Sequence, residues 1–373
     1  MLIDIKEVTS KKQLSEFIKF PMRLYKDNPY YVPALVQEEK QALDRKKNPV
    51  FNHAISKYYL AYKEGELVGR IAAIINWKEV KEQKKSKVRF GWFDVIDDIE
   101  VTKALINKVR ELGVEHELEF MEGPVGFSNL DKAGLLTKGF DKLPTMVTLY
   151  NAPYYEEHFR ALDFEMASEW VEYALKLPEN LPEKIVKFSV LIMKRYGLKV
   201  KKFNTKDDLR KVVDPMFALL DKTYGHLSSY VPIPKQQIEH YKEKYINFIN
   251  PDFVSCIEDA DGQMIAFAIT MPSYSKALQK AKGKLFPFGW WYLLQASKKN
   301  DTAAFYLIGI DPAYQGKGIT AIVFREMFST FKKHGVKYLE TNPELAENKS
   351  IQTLWKEYDP VNHKRRMSFR KDL

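Results

Sequence analysis

The sequence predicts an α/β fold of the α+β kind, with a mixed sheet, built from two halves that repeat the same order of elements. Three observations lead to this prediction. The length of 373 residues suggests two or three domains. Short strands and amphipathic helices alternate in each half, and a proline-punctuated connector at 178–182 separates the halves. We therefore predict two domains, 1–180 and 181–373.

The second half carries the clearer pattern of strands and helices. Asp261-Gly262 marks a hairpin turn between two strands. A buried strand later in this half precedes a helix whose apolar residues recur at helical spacing. The predicted strands cover 198–203, 253–258, 264–271, 304–310, 336–340 and the C-terminal tail. The predicted helices cover 206–220, 235–248, 318–334 and 351–358.

The first half repeats this order more faintly. Glu64-Gly65-Glu66 forms the turn of a hairpin. The predicted strands cover 1–8, 58–63, 67–75, 89–95, 118–122 and 169–177, and the main helices cover 11–25 and 101–112. A degenerate internal repeat explains this correspondence, and chance similarity between two α/β units is the alternative.

The composition is that of a globular protein, with 45% hydrophobic and 29% charged residues. The single cysteine, Cys256, excludes a disulfide framework, and its place in a predicted strand favours a core role over that of a nucleophile. The seven histidines show no paired metal-ligand spacing, so we expect no catalytic metal. The first residues lack the pattern of a signal peptide, and no apolar run reaches the roughly 18 residues of a membrane span. We expect a cytoplasmic protein, of unknown oligomeric state.

The net charge of +10 is unevenly distributed along the chain. Residues 1–180 hold 27 basic and 29 acidic side chains, whereas the remainder holds 32 basic and 20 acidic ones. The positive excess therefore lies in the second half. It indicates either a solvated basic face or an anionic partner such as a phosphate, a nucleic acid or a lipid surface.

One segment of the second half combines the features needed to bind a phosphate. The buried strand 305–310 ends at Asp311-Pro312, and the turn 315–318 (Gln-Gly-Lys-Gly) opens the next helix. The first amides of a helix lack intrahelical partners and lie at the positive end of the helix dipole. Glycines let the backbone approach a phosphate closely, and Lys317 adds positive charge. The turn is therefore predicted to bind an anion, above all a pyrophosphate.

At these residues the sequence resembles the GCN5-related N-acetyltransferase superfamily. The acyl-CoA signature of that superfamily is Gln or Arg, two variable residues, Gly, one variable residue, and then Gly or Ala. Here it corresponds to Gln315, Gly318 and Thr320, with threonine as the departure. The resemblance covers about 185–373, and the first half is similar to the same fold without the motif. It implies two tandem acetyltransferase-like domains, of which the first is degenerate.

The resemblance also implies a ligand and a chemistry. Acetyl-CoA or another acyl-CoA would bind as co-substrate, with its pyrophosphate on the amides of the turn. A bulge at Gly309 would open the strand for the pantetheine arm and present the N–H of Ile310 to the thioester oxygen. An amine then attacks the thioester directly, without a covalent enzyme intermediate. The predicted cofactor-binding residues are Ile308, Gly309, Ile310, Gln315, Gly316, Lys317, Gly318, Ile319, Thr320 and Asn348.

The candidate catalytic residues follow the long helix. Glu340 and Glu344 are both candidates for the base, and Glu340 is the one assigned as catalytic. Glu344 and Asn342 are the predicted substrate contacts. The superfamily often has an acidic tyrosine seven residues after the asparagine matched by Asn348, but Trp355 stands at that position. Tyr358, one turn later, is the candidate substitute. A thiol of pKa ~8.5 can also leave unprotonated.

The turn of the first half that corresponds to the glycine turn, 94–100, has four carboxylates and no glycine. These carboxylates would repel a phosphate, so we expect this half to bind no CoA in the usual way. It would instead buttress the second half or form a wall of the acceptor site. The segment 123–129 (Gly-Pro-Val-Gly-Phe-Ser-Asn) either lines that cleft or forms a structural turn.

An insertion at 273–302 separates the hairpin of the second half from the motif strand. Its central run, 285–294 (Leu-Phe-Pro-Phe-Gly-Trp-Trp-Tyr-Leu-Leu), is strongly aromatic. This run either packs on the first half or forms a wall for a long acyl chain or a lipid acceptor. The neighbouring lysines would suit anionic lipid. They are Lys276, Lys280, Lys282, Lys284, Lys298 and Lys299.

The predicted function is transfer of an acyl group, in the first place acetyl, from CoA to an unidentified amine. The acceptor is a small molecule or a lipid, and peripheral membrane contact is expected only with the latter. The alternatives are a long-chain N-acyltransferase on a lipid-like amine, a non-catalytic acyl-CoA-binding protein and a tRNA-dependent aminoacyl transferase. The intact glycine turn argues against the last of these, so we expect no nucleic acid partner.

Overall fold

A computed structural model describes residues 2–128, 130–225, 230–246, 249–348, 352, 355 and 358–373 of the chain. The strands of the first half are β1 (Ile3–Glu7), β2 (Ala54–Lys63), β3 (Glu66–Asn76), β4 (Lys87–Val95), β5 (Phe120–Gly123), β6 (Leu135–Lys138) and β7 (Glu165–Lys176). Its helices are α1 (Lys11–Leu24), α2 (Val36–Ala42), α3 (Ile99–Glu115) and α4 (Tyr154–Ala161).

The second half begins with a helix that the sequence patterns did not predict. Its helices are α5 (Glu183–Tyr196), α6 (Lys206–Tyr224), α7 (Lys235–Tyr245), α8 (Ser275–Ala281), α9 (Gly289–Lys298) and α10 (Ile319–His334). Its strands are β8 (Lys199–Lys201), β9 (Val254–Glu258), β10 (Met264–Pro272), β11 (Thr302–Ile310), β12 (Tyr338–Thr341), β13 (Glu344–Leu345) and β14 (Val361–Asp372). Most of the helix predicted at 351–358 lies outside the described residues.

One continuous mixed sheet joins the two halves. Its order is β1-β2-β3-β4-β5-β14-β7-β12-β11-β10-β9-β8, with β6 and β13 paired to β14 and β7. The pairs β4–β5 and β11–β12 are parallel, and the other pairs are antiparallel. The predicted α/β fold with a mixed sheet is confirmed.

The two central strands are exchanged between the halves. β14, at the end of the chain, pairs with β5 of the first half, whereas β7, which precedes the connector, pairs with β12 of the second. β7 and β14 also pair with each other along most of their length. A cut between residues 180 and 181 would therefore leave each half without the strand beside its own parallel pair. The domain boundary at that point stays a prediction.

Helices cover both faces of the sheet. In the second half, α5 and α10 pack on one face of the sheet. On the other face, α6 and α7 pack against side chains of β9 and β10. In the first half, α3 and α1 occupy the corresponding positions. No helix among the described residues is both long and apolar enough to cross a bilayer.

A buried charge cluster fixes the exchanged strands. Glu172 of β7 accepts a hydrogen bond from Arg366 of β14 at 2.6 Å and lies 3.1 Å from the Nζ of Lys364. The cations in turn donate to the carbonyls of Leu143 and Leu149, in the first half. Burial raises the pKa of Glu172, but the two cations outweigh it and hold that pKa below its usual value. The cluster is therefore charged and ties both halves together.

Replacing Glu172 by glutamine should destabilise the protein by about 3–5 kcal/mol, because two buried cations would lose their counter-charge. The matched control is Glu169→Gln on the same strand, whose partner Arg365 lies 2.9 Å away at the surface. An exposed pair contributes at most about 1 kcal/mol. Urea unfolding of both variants tests this expectation, and equal losses would show that the buried cluster has no special role.

Candidate active site

The site is built where β11 and β12 part. They pair in parallel from Thr302 to Phe305, and the N–H of Asn342 still donates to the carbonyl of Phe305 at 3.1 Å. Beyond this point the chain after β12 turns away, since β13 pairs with β7. β11 continues to Ile310 with β10 alone on its other side. The edge of β11 from 306 to 310 therefore faces an opening.

Two residues of β11 direct their backbone groups into this opening. The carbonyl of Ile308 accepts a hydrogen bond from the hydroxyl of Tyr224 at 2.8 Å, and that of Ile310 accepts one from the side chain of Gln315 at 3.0 Å. The N–H and C=O of one strand residue point to the same side. The N–H groups of Ile308 and Ile310 therefore face the same opening, where they can donate to a ligand.

The prediction of a bulge at Gly309 is wrong, because the bulge of β11 lies elsewhere in the strand. Gly309 pairs regularly with Phe267 of β10, and the register shift places the extra residue at Tyr306. A Cβ on Gly309 would lie 2.5 Å from the ring of Phe267. The glycine thus makes room for a packed aromatic ring, and the bulge lies three residues earlier, where β11 leaves β12.

The glycine turn lies directly beyond this strand. Gly316 and Gly318 have φ of +72° and +81°, a region that favours glycine. Gly318 is the N-cap of α10 and offers no side chain to cap it. The amides of Ile319 and Thr320 have no intrahelical carbonyl to bond, by their place in the first turn. Lys317 extends over the rings of Tyr196 and Tyr314, at 5.5 Å and 5.2 Å. Such a turn presents free amides and a cation to an anion.

The corresponding helix of the first half has a different N-terminus. Asp98 caps α3, and its carboxylate accepts from the N–H of Glu100 at 3.0 Å. A hydrogen bond with Lys63 lowers the pKa of Asp98, so the carboxylate stays ionised. A negative charge thus occupies the place that an incoming phosphate would take. This geometry supports the prediction that the first half does not bind CoA in the usual way.

A large apolar cavity opens beside the open edge of β11. It measures about 360 Å³ and lies between α6, the sheet and a small part of the first half. We call it the second-half cavity. The wall from α6 comprises Leu209, Val213, Met216, Phe217 and Leu220. The sheet contributes Ile269, Phe305, Leu307 and Ile308, and the first half contributes Leu130, Met146 and Val147.

Glu344 is the carboxylate that lines this cavity close to the opening. It is 8% exposed, and its Oε1 accepts from the indole N–H of Trp355 at 2.8 Å. Among the described residues, no hydrogen-bond partner is found for its Oε2. Burial raises the pKa of Glu344 to about 8, although the hydrogen bond from Trp355 opposes this shift. A carboxylate with such a pKa can exchange a proton with an amine near neutral pH.

Trp355 therefore has a role other than the one expected from its position. It is 1% exposed and packs edge-on against Phe305 and Phe324. Its N–H fixes one oxygen of Glu344. The position at which the superfamily often has an acid tyrosine thus holds a residue that orients a carboxylate.

The other predicted residues of this region separate into two groups. Asn342 and Asn348 line the second-half cavity, and Asn342 accepts from the hydroxyl of Thr145 at 2.9 Å. Glu340 does not line it, because it lies beside Lys364 and His363, 3.9 Å from each. Burial raises the pKa of Glu340, and Lys364 opposes the shift.

Tyr358 lies away from the second-half cavity, in a small apolar pocket with Leu175 and Leu339. Its ring packs against Phe324 of α10 at 5.6 Å. The structure thus brings Glu344 and Asn342 to the cavity and does not bring Glu340 or Tyr358 there. The catalytic assignments of Glu340 and Tyr358 stay predictions without geometric support.

Tyr224 is a residue of the site that sequence reasoning missed. Its hydroxyl lies beside the open edge of β11, at the carbonyl of Ile308. Burial, together with the nearby charge of Glu344, raises the pKa of Tyr224 to about 12. Its position at the end of a helix, 84 residues before Ile308 in the chain, gives no local signal. Only the tertiary packing of α6 against β11 brings the two together.

Comparison with solved structures identifies the fold. A tandem acetyltransferase-type protein from the clavulanic acid biosynthesis pathway has a TM-score of 0.60 and 10% sequence identity, with 100% of this chain and 98% of that chain covered. A GCN5-related N-acetyltransferase from Sphaerobacter thermophilus has a TM-score of 0.54 and 11% identity, covering 99% and 95% of the chains. The chain has the tandem GCN5-related N-acetyltransferase fold, and the resemblance inferred from the glycine turn is confirmed at the level of the fold.

Two curated proteins are similar in sequence. Protein YghO from Escherichia coli K12 is 25% identical over 379 residues, covering 99% of this chain and 95% of that protein. A bacterial ceramide synthase from Caulobacter vibrioides is 26% identical over 327 residues, covering 83% and 80%. No protein-family model matches the chain.

Proposed function

We propose that the chain is an acyl-CoA-dependent N-acyltransferase that transfers a long acyl chain to the amino group of a lipid-like amine. The observation that carries this proposal is the apolar second-half cavity of about 360 Å³, which begins at the open edge of β11. Its size lies within the ~300–1,000 Å³ of small-molecule sites. An acetyl group would leave most of it empty, whereas a fatty acyl chain would fill it.

The similarity to a named enzyme supports the same class of reaction. One relative, 26% identical, is a bacterial ceramide synthase. A ceramide contains an amide between a fatty acyl chain and a long-chain amino alcohol, so its synthesis joins the two kinds of group proposed here. The transfer of acetyl, expected first from the sequence, is the competing outcome of the tests below.

The residues of the site fit an acyl-CoA. The first turn of α10 offers the amides of Ile319 and Thr320 to a pyrophosphate, and the preceding turn adds the charge of Lys317. The N–H groups of Ile308 and Ile310 face the opening in which a pantetheine arm and a thioester would lie, and either can donate to the thioester oxygen as charge develops on it. The acyl chain would then continue into the second-half cavity.

Glu344 is the base in this proposal. It takes a proton from the acceptor ammonium, and the amine nitrogen then attacks the thioester carbon. The C–N bond forms and the C–S bond breaks. The nitrogen loses its second proton to water, and the departing CoA thiolate takes up a proton from water. The products are an amide and CoA, and one proton is released overall. Asn342, on the same wall of the cavity, is placed to contact the acceptor.

Tyr224 acts as a positioning residue rather than as the acid. Its pKa of about 12 lies well above the ~8.5 of a thiol. Proton transfer from the phenol to the departing thiolate is therefore unfavourable. The phenol instead holds the carbonyl of Ile308 and thereby the geometry of the open strand edge.

Binding of ligands of different chain length tests the proposal. Palmitoyl-CoA at 100 times its Kd should stabilise the protein by ~2.7 kcal/mol, and it should bind more tightly than acetyl-CoA. Val213 lies on the cavity wall, away from the glycine turn. Val213→Trp should weaken palmitoyl-CoA binding at least tenfold and leave free CoA binding unchanged. Equal binding of the two acyl-CoAs by the wild-type protein would favour acetyl transfer instead.

A lipid acceptor requires access to a membrane, and we infer that α9 and the loop before it contact an anionic bilayer. Four aromatic side chains there are between 46% and 78% exposed. Within the insertion, residues 273–300 include six lysines and no acidic residue. Aromatic rings and lysines together suit the interface of an anionic membrane. The exposed aromatic residues are Phe286, Phe288, Trp290 and Trp291.

The other side of the insertion packs on the first half. The N–H of Val36 donates to the carbonyl of Gly283 at 3.0 Å, and Gln279 donates to the carbonyl of Pro29 at 2.8 Å. The insertion therefore packs on the first half, as one of the two sequence interpretations expected. The four aromatic side chains named above nevertheless remain exposed.

The double variant Phe286→Ser/Trp290→Ser should reduce co-sedimentation with vesicles containing anionic phosphatidylglycerol at least tenfold. Val114→Ser, which removes an exposed apolar side chain on α3, is the matched control and should bind as the wild type does. Binding should also fall with salt, because the lysines act through charge. Equal sedimentation of all three proteins would remove the inference.

A further inference from the structure

The first half has a cavity of its own, which neither the glycine turn nor Glu344 uses. It measures about 160 Å³ and lies between α1, α2, β4 and the inner sides of α8 and α9. We call it the first-half cavity. Its apolar lining includes Met22, Val32, Leu35, Leu278 and Leu293. An apolar cavity of about 150 Å³ can take up benzene, so this one can hold part of a hydrocarbon chain.

The charges of this lining favour a cation. Its described residues include four carboxylates and two cations. The Nη2 of Arg70 lies 2.7 Å from Asp94, so that cation is already paired. Lys132 lies 3.8 Å from Glu39. The formal charge of the lining is −2, and it stays negative if Asp94, whose pKa burial raises, is protonated. The cavity is therefore unsuited to CoA, which is strongly anionic, and suited to an ammonium group. The carboxylates are Glu38, Glu39, Asp94 and Asp131.

The edge of β4 that faces this cavity is occupied by the chain itself and cannot pair with a pantetheine arm. The N–H of Val125 donates to the carbonyl of Phe90 at 2.8 Å. A Cβ on Gly91 would collide with the carbonyl oxygen of Val125. The chain of the first half thus fills the opening that, in the second half, remains beside β11. The segment 123–128 lines the cavity with Pro124, Val125 and Gly126.

Trp92 is held in the cavity wall by a strained backbone. Its φ is +45°, which is uncommon for a residue with a large side chain. It lies at a register shift between β3 and β4. Its indole N–H donates to Glu39 at 2.6 Å and so fixes one of the carboxylates. Strain of this kind is often found at ligand sites.

The two cavities adjoin each other. Four residues line both of them: Leu130, Asp131, Met146 and Val147. Asp131 is therefore the carboxylate at the boundary between the two. A ligand in the first-half cavity can place a cationic group at this boundary, next to the space that begins at Glu344.

We propose that the first-half cavity binds the acceptor, a cationic amphiphile with a hydrocarbon chain and a primary amine. The chain lies against α1, α2, α8 and α9, and the ammonium group lies towards Asp131 and the second-half cavity. The degenerate half thus supplies the acceptor site, and the half with the glycine turn supplies the acyl-CoA site. This inference rests on the proposed function, since it assigns the second substrate of the same reaction.

The test compares two valines that each line one cavity only. Val32 lines the first-half cavity and Val213 the second. Dodecylamine is the acceptor probe and palmitoyl-CoA the donor probe, both measured by calorimetry on the full chain. Val32→Trp should weaken dodecylamine binding at least tenfold and change palmitoyl-CoA binding less than twofold. Val213→Trp should do the reverse. Dodecanol should bind the wild-type protein more weakly than dodecylamine, because it carries no charge.

The outcomes distinguish the two levels of the proposal. Loss of dodecylamine binding only in Val213→Trp would move the acceptor to the second-half cavity and overturn this inference, while the acyltransferase proposal would stand. A wild-type protein that binds no palmitoyl-CoA would remove the acyltransferase proposal itself. Photo-crosslinking of a diazirine-bearing dodecylamine to the wild-type protein needs no variant. Labelled peptides from α1–α2 support the inference, and labels confined to α6–α7 contradict it.

Discussion

Glu344→Gln should lower kcat of acyl transfer by about 10²–10⁴-fold, the range expected for loss of a general base. Glutamine keeps the shape of the side chain and can still accept the hydrogen bond from Trp355, but it cannot take a proton from the acceptor. Binding of palmitoyl-CoA should change little, because the glycine turn and the wall from α6 are untouched. The comparison variant is Glu340→Gln, at a half-buried carboxylate whose pKa is also raised. If Glu340→Gln carried the loss and Glu344→Gln did not, the assignment of the base would be wrong.

The pH dependence follows from the same residue. Because burial raises the pKa of Glu344 to about 8, the ionised base becomes more abundant as the pH rises from 6 to 9. We expect kcat/KM to rise over this range with an apparent pKa near 8, and this step should be absent in Glu344→Gln. A profile that is flat between pH 6 and 9 in the wild-type protein would contradict the proposed role.

Stability should change with pH in the opposite sense. In the unfolded chain Glu344 ionises near its usual pKa of 4.5, whereas in the fold it ionises only near 8. Between these values the folded state holds a proton that the unfolded state has lost, so stability falls as the pH rises. Glu344→Gln removes this effect. Its melting temperature should exceed that of the wild type more at pH 8 than at pH 4.

Gly318→Glu should weaken binding of CoA by about 100-fold or more, which corresponds to ~2.7 kcal/mol. The residue has φ of +81°, and a Cβ there would lie 2.7 Å from the ring of Phe188. The new carboxylate would also lie at the N-terminus of α10, where a phosphate is expected. The loss should appear equally for CoA, acetyl-CoA and palmitoyl-CoA, because all three share the pyrophosphate.

The matched control is Gly335→Glu at the other end of the same helix. Gly335 has φ of +70°, and a Cβ there meets no atom within 4 Å. This variant adds the same charge and a similar backbone strain, so it should lose stability but bind CoA as the wild type does. If both variants lost CoA binding to the same extent, the effect would come from damage to the helix and not from the turn.

The elements of the site that depend on local sequence could be predicted. The strand, the Asp-Pro pair, the turn and the amphipathic helix lie within 30 consecutive residues, from 305 to 334. The positive φ of Gly316 and Gly318 is a local property as well. For this reason the sequence was sufficient to predict the fold class and the glycine turn at the start of α10, whereas binding of an anion there stays a prediction.

The rest of the site depends on contacts between distant parts of the chain. The exchange of β7 and β14 could not be predicted, because strand patterns do not specify which partner a strand takes. Tyr224 meets Ile308 only through helix packing. Glu340 and Glu344 are both candidate bases on the sequence alone, because the sequence does not show where the chain turns after β12. The pairing of β13 with β7 accompanies the placement of Glu344, and not Glu340, on the wall of the second-half cavity.

Turnover tests the proposed reaction most directly. Purified wild-type protein is incubated with dodecylamine and either palmitoyl-CoA or acetyl-CoA, and the amide is measured by mass spectrometry while the released thiol is followed in parallel. We predict that N-dodecylpalmitamide and CoA form in equal amounts, faster than the acetyl product, and that Glu344→Gln forms both about 10²–10⁴-fold more slowly. Tight binding of palmitoyl-CoA with no amide, whichever of several long-chain amines is supplied, would contradict the proposed acyl transfer and indicate a non-catalytic acyl-CoA-binding protein.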